Sequence, residues 1–161
     1  MPFDGPQIAT AGLWNAVASN FGTILAVDDD EWDLDALRDA LVPGGYQVLT
    51  ATDGNSALAL FLKCSTNIDL VVSDIKMSPM TGWELGAQLV HLAPRLPIIL
   101  VSSYAAPESF LRQKPAFSPI SFLRKPFAPE DLRTKVEKAL QSRPDKLRVS
   151  SIRSGLLSWQ P

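Results

Sequence analysis

Residues 69–82 read DLVVSDIKMSPMTG, from Asp69 to Gly82, and this stretch decides the fold. Leu70, Val71 and Val72 are β-favouring and continuous rather than alternating, which suits a strand covered on both faces in the middle of a parallel sheet. Ser73 and Asp74 follow at its carboxyl end, where a turn begins. Ligands of open α/β sheets collect outside the carboxyl ends of strands, so Asp74 either starts a turn or is placed for chemistry.

The flanking sequence repeats this pattern. Residues 23–27 form an apolar strand that ends in Asp28, Asp29, Asp30 and Glu31. Leu34, Leu37 and Leu41 then recur at helical spacing, predicting a helix over residues 31–41 that stops before Pro43, Gly44 and Gly45. Asp30 directly precedes these leucines and reads as the helix cap. Residues 46–51 are a second strand, and Ala57, Leu58, Leu60, Phe61 and Leu62 mark a second helix capped by Asp53 or Asn55.

Beyond the central strand, a third helix spans about residues 83–92 and a fourth strand residues 97–101, ending at Ser102 and Ser103. A short helix over residues 107–113 is cut off by Pro115. A fifth strand, residues 120–123, ends at Arg124 and Lys125. The last helix starts after Pro129, with Glu130 and Asp131 in its first turn and Leu132, Val136 and Leu140 on its buried face. Strict alternation of strand and helix calls for an α/β fold, a parallel sheet with right-handed crossovers and helices on both faces. The strand ends then share one edge, and Asp28, Asp29, Asp74, Ser102 and Lys125 converge on one crevice.

Composition removes several function classes. With 161 residues, 46% hydrophobic and 20% charged, the chain is an ordinary globular domain of about one core. A net charge of -2 gives no footprint for nucleic acid. Cys64 and His91, the single cysteine and histidine, support neither a disulfide nor a metal cluster and read as a small helix hydrophobe and a helix-closing residue. No apolar run approaches the ~18 residues of a membrane span, and no basic-then-apolar leader opens the chain, so the cytoplasm is the expected address.

The crevice has a physical logic. Carboxylates brought within ~5 Å repel by about 3 kcal/mol per pair at an effective dielectric near 20, and a divalent cation removes the conflict. A few hard oxygen ligands on a loop edge open to water suit Mg²⁺ better than Zn²⁺. Such an ion bridges a carboxylate and a phosphoryl oxygen, Lys125 neutralises a second oxygen, and Ser102 donates a hydrogen bond to a third. Asp74 is then the nucleophile, forming an aspartyl-phosphate.

These residues resemble the receiver domains of two-component response regulators. The matching pieces are ILAVDDD at residues 24–30, DLVVSDIKM with Gly82 at residues 69–82, ILVSS at residues 99–103 and FLRKPF at residues 122–127. The resemblance covers about residues 23–141 and implies a flavodoxin-like, doubly wound five-stranded sheet in the order 2-1-3-4-5. It implies Asp74 as phosphoacceptor, and Mg²⁺ held by Asp28, Asp29, Asp74 and the backbone carbonyl of Lys76. Ser102 and Phe122 correspond to the pair whose motion accompanies activation, Lys125 to the family's lysine, and Pro126 to a residue usually preceded by a cis peptide. Lys76 and Tyr104 occupy the positions that tune the lifetime of the phosphorylated state. A cation and a bulky ring there shield the phosphoryl group and predict slow self-dephosphorylation.

The sequence departs from the family in two places. Proline four residues after the phosphoacceptor is replaced by Ser78, with Pro79 next, and the stretch before the fifth strand reads Ser118-Pro119 amid Pro107 and Pro115. The expected organisation is an N-terminal extension over residues 1–22, a receiver domain over 23–141 and a short basic tail over 142–161 with no output domain. Such a protein takes its phosphoryl group from a sensor histidine kinase, a histidine phosphotransfer protein or a small donor such as acetyl phosphate. It signals through an unidentified downstream protein, without nucleic acid or membrane, and a homodimer is left open. Two rival readings are a pseudo-receiver that binds without phosphorylation and a haloacid dehalogenase-like phosphatase built on Asp28 and Asp30.

Overall fold

In a computed structural model, which describes residues 21–65, 67–105 and 119–143, the central strand β3 (Leu70–Asp74) is buried along its whole length. It lies between β1 (Thr23–Val27) and β4 (Ile98–Ser102), with β2 (Gln47–Ala51) and β5 (Ile120–Arg124) at the edges. The order is β2-β1-β3-β4-β5, as the family resemblance implied, and every pairing is parallel, as the alternation predicted. The strand bounds agree with expectation to one residue. Ser102 closes β4 as its last paired residue, rather than following the strand.

Alternate side chains of each strand serve opposite layers. Ile24, Ala26, Leu70 and Val72 pack with α1 (Glu31–Leu41) and α4 (Pro129–Gln141), which contribute Leu34, Leu37 and Leu41, and Leu132, Val136 and Leu140. Leu25, Val27, Val71 and Leu100 pack with α2 (Gly54–Cys64) and α3 (Gly82–Leu92) through Ala57, Phe61, Leu85 and Leu89. Burying each such leucine or valine is worth about 1.5–3 kcal/mol, so the two layers clamp the sheet from both sides.

Local chemistry starts and stops the helices. Asp30 accepts hydrogen bonds from the N–H groups of Trp32 and Asp33, and Asp53, rather than Asn55, accepts from Ser56 N–H to cap α2. Thr81 and Glu84 form a reciprocal capping box at α3. Pro129 opens α4 at a position where no N–H is needed. After α1 the chain makes a short 3₁₀ turn, Val42–Gly44, and leaves it through Gly45 at φ 84°, a left-handed conformation that glycine adopts without strain.

The hydrogen-bonded unit extends slightly beyond residues 23 and 141. Phe21 N–H donates to the Gly45 carbonyl, Gln47 N–H donates to that of Gly22, and Arg143 pairs with Asp69 at 3.0 Å. Residues 1–20, the helix expected over 107–113, Ser118 and the tail beyond 143 lie outside the described residues. Among the described residues, no helix is long and apolar enough to cross a membrane.

Candidate functional site

Strand register alone assembles the crevice. Val27 pairs with Ser73, so the next residues, Asp28 and Asp74, leave adjacent strands at one level. Asp74 pairs with Val101, which sets Ser102 one step further along. Ser102 pairs with Arg124, and Lys125 N–H donates to the Ser102 carbonyl at 2.8 Å. A one-residue slip in any pairing would separate these groups.

The side chains meet accordingly. Asp28, Asp29 and Asp74 each offer a carboxylate oxygen, all within 4.8 Å of one another. At that spacing each pair repels by about 3 kcal/mol at an effective dielectric near 20, and the pocket is one that can bind a metal. All donors are hard oxygens and Asp29 is exposed to water, a set suited to Mg²⁺ or a similar cation. Asp28 and Asp74 are nearly buried. Burial pushes the Asp28 carboxyl above the usual range, and the Asp30 N–H and the Lys125 charge only partly offset it.

Lys125 reaches into this acidic pocket from the end of β5. Its Nζ lies 3.1 Å from Asp74 Oδ1 and 3.3 Å from Asp28 Oδ2. Burial disfavours its charge, but hydrogen bonds to Asp33 and Asp74 and the field of Asp28 outweigh that, and the ammonium is held more firmly protonated than a free lysine. Asp74 Oδ2 accepts the Lys76 N–H at 2.7 Å, while the Lys76 side chain is exposed.

The remaining residues singled out from the sequence fall around the rim. Ser102 Oγ accepts the Tyr104 N–H at 3.0 Å, and the Tyr104 ring is 73% exposed. Phe122, on β5, is half-buried against Trp83 at the start of α3, with ring centroids 5.1 Å apart. Trp32, at the start of α1, is 85% exposed. The peptide bonds Lys125–Pro126 and Ser78–Pro79 are both cis, the second without a sequence expectation. Gly82 sits so close to the end of β3 that an added Cβ would overlap the Asp74 carbonyl oxygen.

One residue of the crevice escaped the sequence reading. Asp33 Oδ2 accepts from Lys125 Nζ at 2.6 Å, the shortest of the lysine's contacts. Its signal was present but ambiguous. Asp33, Leu37 and Leu41 follow one another at four-residue spacing, so Asp33 extends the buried stripe of α1 to the crevice. An acid in a first helical turn also serves the helix dipole and draws no notice.

Comparison with known proteins agrees with this geometry. The response regulator receiver domain model matches residues 24–137. A two-component response regulator of Arabidopsis thaliana, ARR12, is 34% identical over 128 residues, covering 80% of this chain and 21% of that protein. The sensor kinase CckA of Brucella abortus is 36% identical over 127 residues, 76% of this chain and 13% of that one. The crystal structure of Thermotoga maritima TrrA in complex with Mg²⁺ and BeF superposes with a TM-score of 0.63 at 29% identity, covering 74% of this chain and 99% of that one. This chain belongs to the response regulator receiver domain family of two-component signalling. It spans only about a fifth and an eighth of the two curated relatives.

Proposed function

We propose that residues 23–141 form a working receiver that accepts a phosphoryl group on Asp74. The observation that carries this reading is the meeting of Asp28, Asp29 and Asp74 within 4.8 Å, with the Lys125 ammonium 3.1 Å from Asp74. Mg²⁺, held by Asp28, Asp29, Asp74 and the Lys76 backbone carbonyl, would offset the negative charge of the approaching phosphoryl oxygens.

The chain's own groups do the rest by position and charge. An Asp74 oxygen attacks phosphorus, the donor's P–N bond breaks, and the electron pair stays on the leaving imidazole. Lys125 neutralises a phosphoryl oxygen. Ser102 Oγ accepts from Tyr104 N–H, which leaves its own proton for another phosphoryl oxygen. Its turn toward that oxygen is followed by Phe122, which gives way against Trp83. Lys76 and Tyr104 stand exposed beside the site and slow attack by water on the acyl phosphate.

The donor is a phosphohistidine on a sensor kinase or a phosphotransfer protein, in keeping with the matching segment inside a sensor kinase. Output is contact with a downstream protein. The phosphatase reading needs Asp30 beside Asp28 as an acid-base group, whereas the Asp30 carboxylate is engaged with two α1 N–H groups.

The test is tryptophan fluorescence, with Trp83 reporting on Phe122. Wild type should respond saturably to Mg²⁺ and then to beryllofluoride, and Asp74→Asn should lose the second response. A folded wild type silent to both would instead be a binding module that keeps the fold without phosphorylation.

A further inference from the structure

The Lys125 ammonium has three N–H groups and three carboxylate neighbours, at unequal distances. Asp33 Oδ2 is at 2.6 Å, Asp74 Oδ1 at 3.1 Å and Asp28 Oδ2 at 3.3 Å. Asp33 belongs to α1 and is not one of the carboxylates that gather within 4.8 Å. The lysine therefore leans toward the helix while still reaching both buried carboxylates of the cluster. It has room to do so, because a cavity of about 260 Å³ opens beside it between Ala36 and Leu37 of α1 and Pro126 and Phe127 after β5.

The lean matters because Lys125 and a metal ion compete. Asp28 and Asp74 are acceptors of the ammonium and members of the acidic cluster at once. An ammonium seated fully between them would occupy the oxygens that a cation needs. We propose that Asp33 is a positioning residue that draws Lys125 toward α1, loosening its hold on Asp28 and Asp74 and so easing the binding of Mg²⁺ to their oxygens. This rests on the functional reading above, in which those carboxylates hold the ion. Asp33 stands outside the group of three carboxylates, and it acts through the lysine.

The Asp33 side chain is 49% exposed, so solvent screens the pair and the effect is moderate. Asp33→Asn keeps the shape and removes the charge. The lysine then falls back onto Asp28 and Asp74, and Mg²⁺ affinity drops by about fivefold, the scale of one partly exposed ion pair. Losing a negative charge near a cation weakens binding even without the lysine, so the background must be varied.

The experiment is Mg²⁺ titration by tryptophan fluorescence of wild type, Asp33→Asn, Lys125→Met and the double variant, each shown folded by circular dichroism. Lys125→Gln replaces Lys125→Met should the latter fail to fold. Affinity comes from the midpoint, so a changed Trp32 amplitude beside Asp33 does not disturb it. The expected result is a loss of about fivefold on the Lys125 background and less than about twofold where the lysine is gone. Equal losses on both backgrounds would overturn the role of Asp33 and leave the receiver reading intact. A wild type that binds no Mg²⁺ would overturn both.

Discussion

Two glycines of α3, four residues apart, should respond to the same substitution with opposite signs. A Cβ at Gly82 would overlap the Asp74 carbonyl oxygen and stand 2.9 Å from the Asp74 carbonyl carbon and 3.0 Å from Ile75 Cα. All three atoms are backbone, and Gly82 N–H is tied to the Ile75 carbonyl at 2.9 Å, so no side chain can swing away. Overpacking of this kind costs about 3 kcal/mol, the upper part of the usual range. Alanine returns about 0.4–1 kcal/mol through lower chain entropy in the unfolded state. Gly82→Ala should therefore lose about 2 kcal/mol net, or about 8 °C in Tm for a domain of this size. At Gly86 the added Cβ meets only Ile120 Cδ1 at 3.7 Å, ordinary contact. Gly86→Ala removes a helix-interior glycine and should gain roughly 1 kcal/mol, about 4 °C. Thermal and urea unfolding of the two variants measures both. Equal signs, or a Gly82→Ala protein as stable as wild type, would refute the close-approach argument. Mg²⁺ affinity supplies a second reading, because the displaced end of β3 carries Asp74: it should fall in Gly82→Ala and hold in Gly86→Ala.

The lifetime of the phosphorylated state should shorten by roughly an order of magnitude when Lys76→Asn and Tyr104→Ala are combined, equivalent to ~1.4 kcal/mol off the hydrolytic barrier. Decay of acyl phosphate formed from labelled acetyl phosphate measures it, and unchanged or slower decay counts against shielding. Acid stability offers another check. The buried Asp28 carboxyl is raised above its unfolded value, so it favours folding in its protonated form. That contribution is complete below the ordinary aspartate pKa of about 4 and is lost as pH climbs through the folded value. In chelator, Asp28→Asn should be more stable than wild type at neutral pH, with the gap closing in acid. A variant less stable at pH 7 would show that the Lys125 and Asp30 contacts dominate instead.

The parallel sheet and its central strand were legible because burial on both faces leaves a mark that few other settings produce, whereas the strand order came from the family resemblance. Leu70, Val71 and Val72 could not be an edge strand with one wet face, and each later apolar run ended in a polar residue at the same point of its unit. That periodicity also located Asp28, Asp29, Asp74, Ser102 and Lys125 at one edge, since register converts strand-end positions into neighbours. Contacts made by long side chains across elements were not legible. Asp33 reaches Lys125 across 92 positions of sequence, and nothing local separates it from any first-turn acid. The helix cap was open between Asp53 and Asn55 for the same reason: both accept hydrogen bonds, and only backbone direction chooses. The cis Ser78–Pro79 bond belongs to this class, because a serine-proline pair reads alike in either isomer.

Asp69, at the threshold of β3, binds the chain twice. One carboxylate oxygen accepts the Thr23 N–H at 2.9 Å where β1 begins, and the other pairs with Arg143 at 3.0 Å just past α4. The start of β1 and the residue just past α4 are thus fastened to one side chain, on the rim of the sheet opposite Asp74. Five residues of β3 separate the two rims, about 16 Å at strand rise. A unit whose first strand and last helix are fastened at one point is suited to being spliced into a longer polypeptide like a cartridge, because Thr23 and Arg143 meet on the rim away from Asp74.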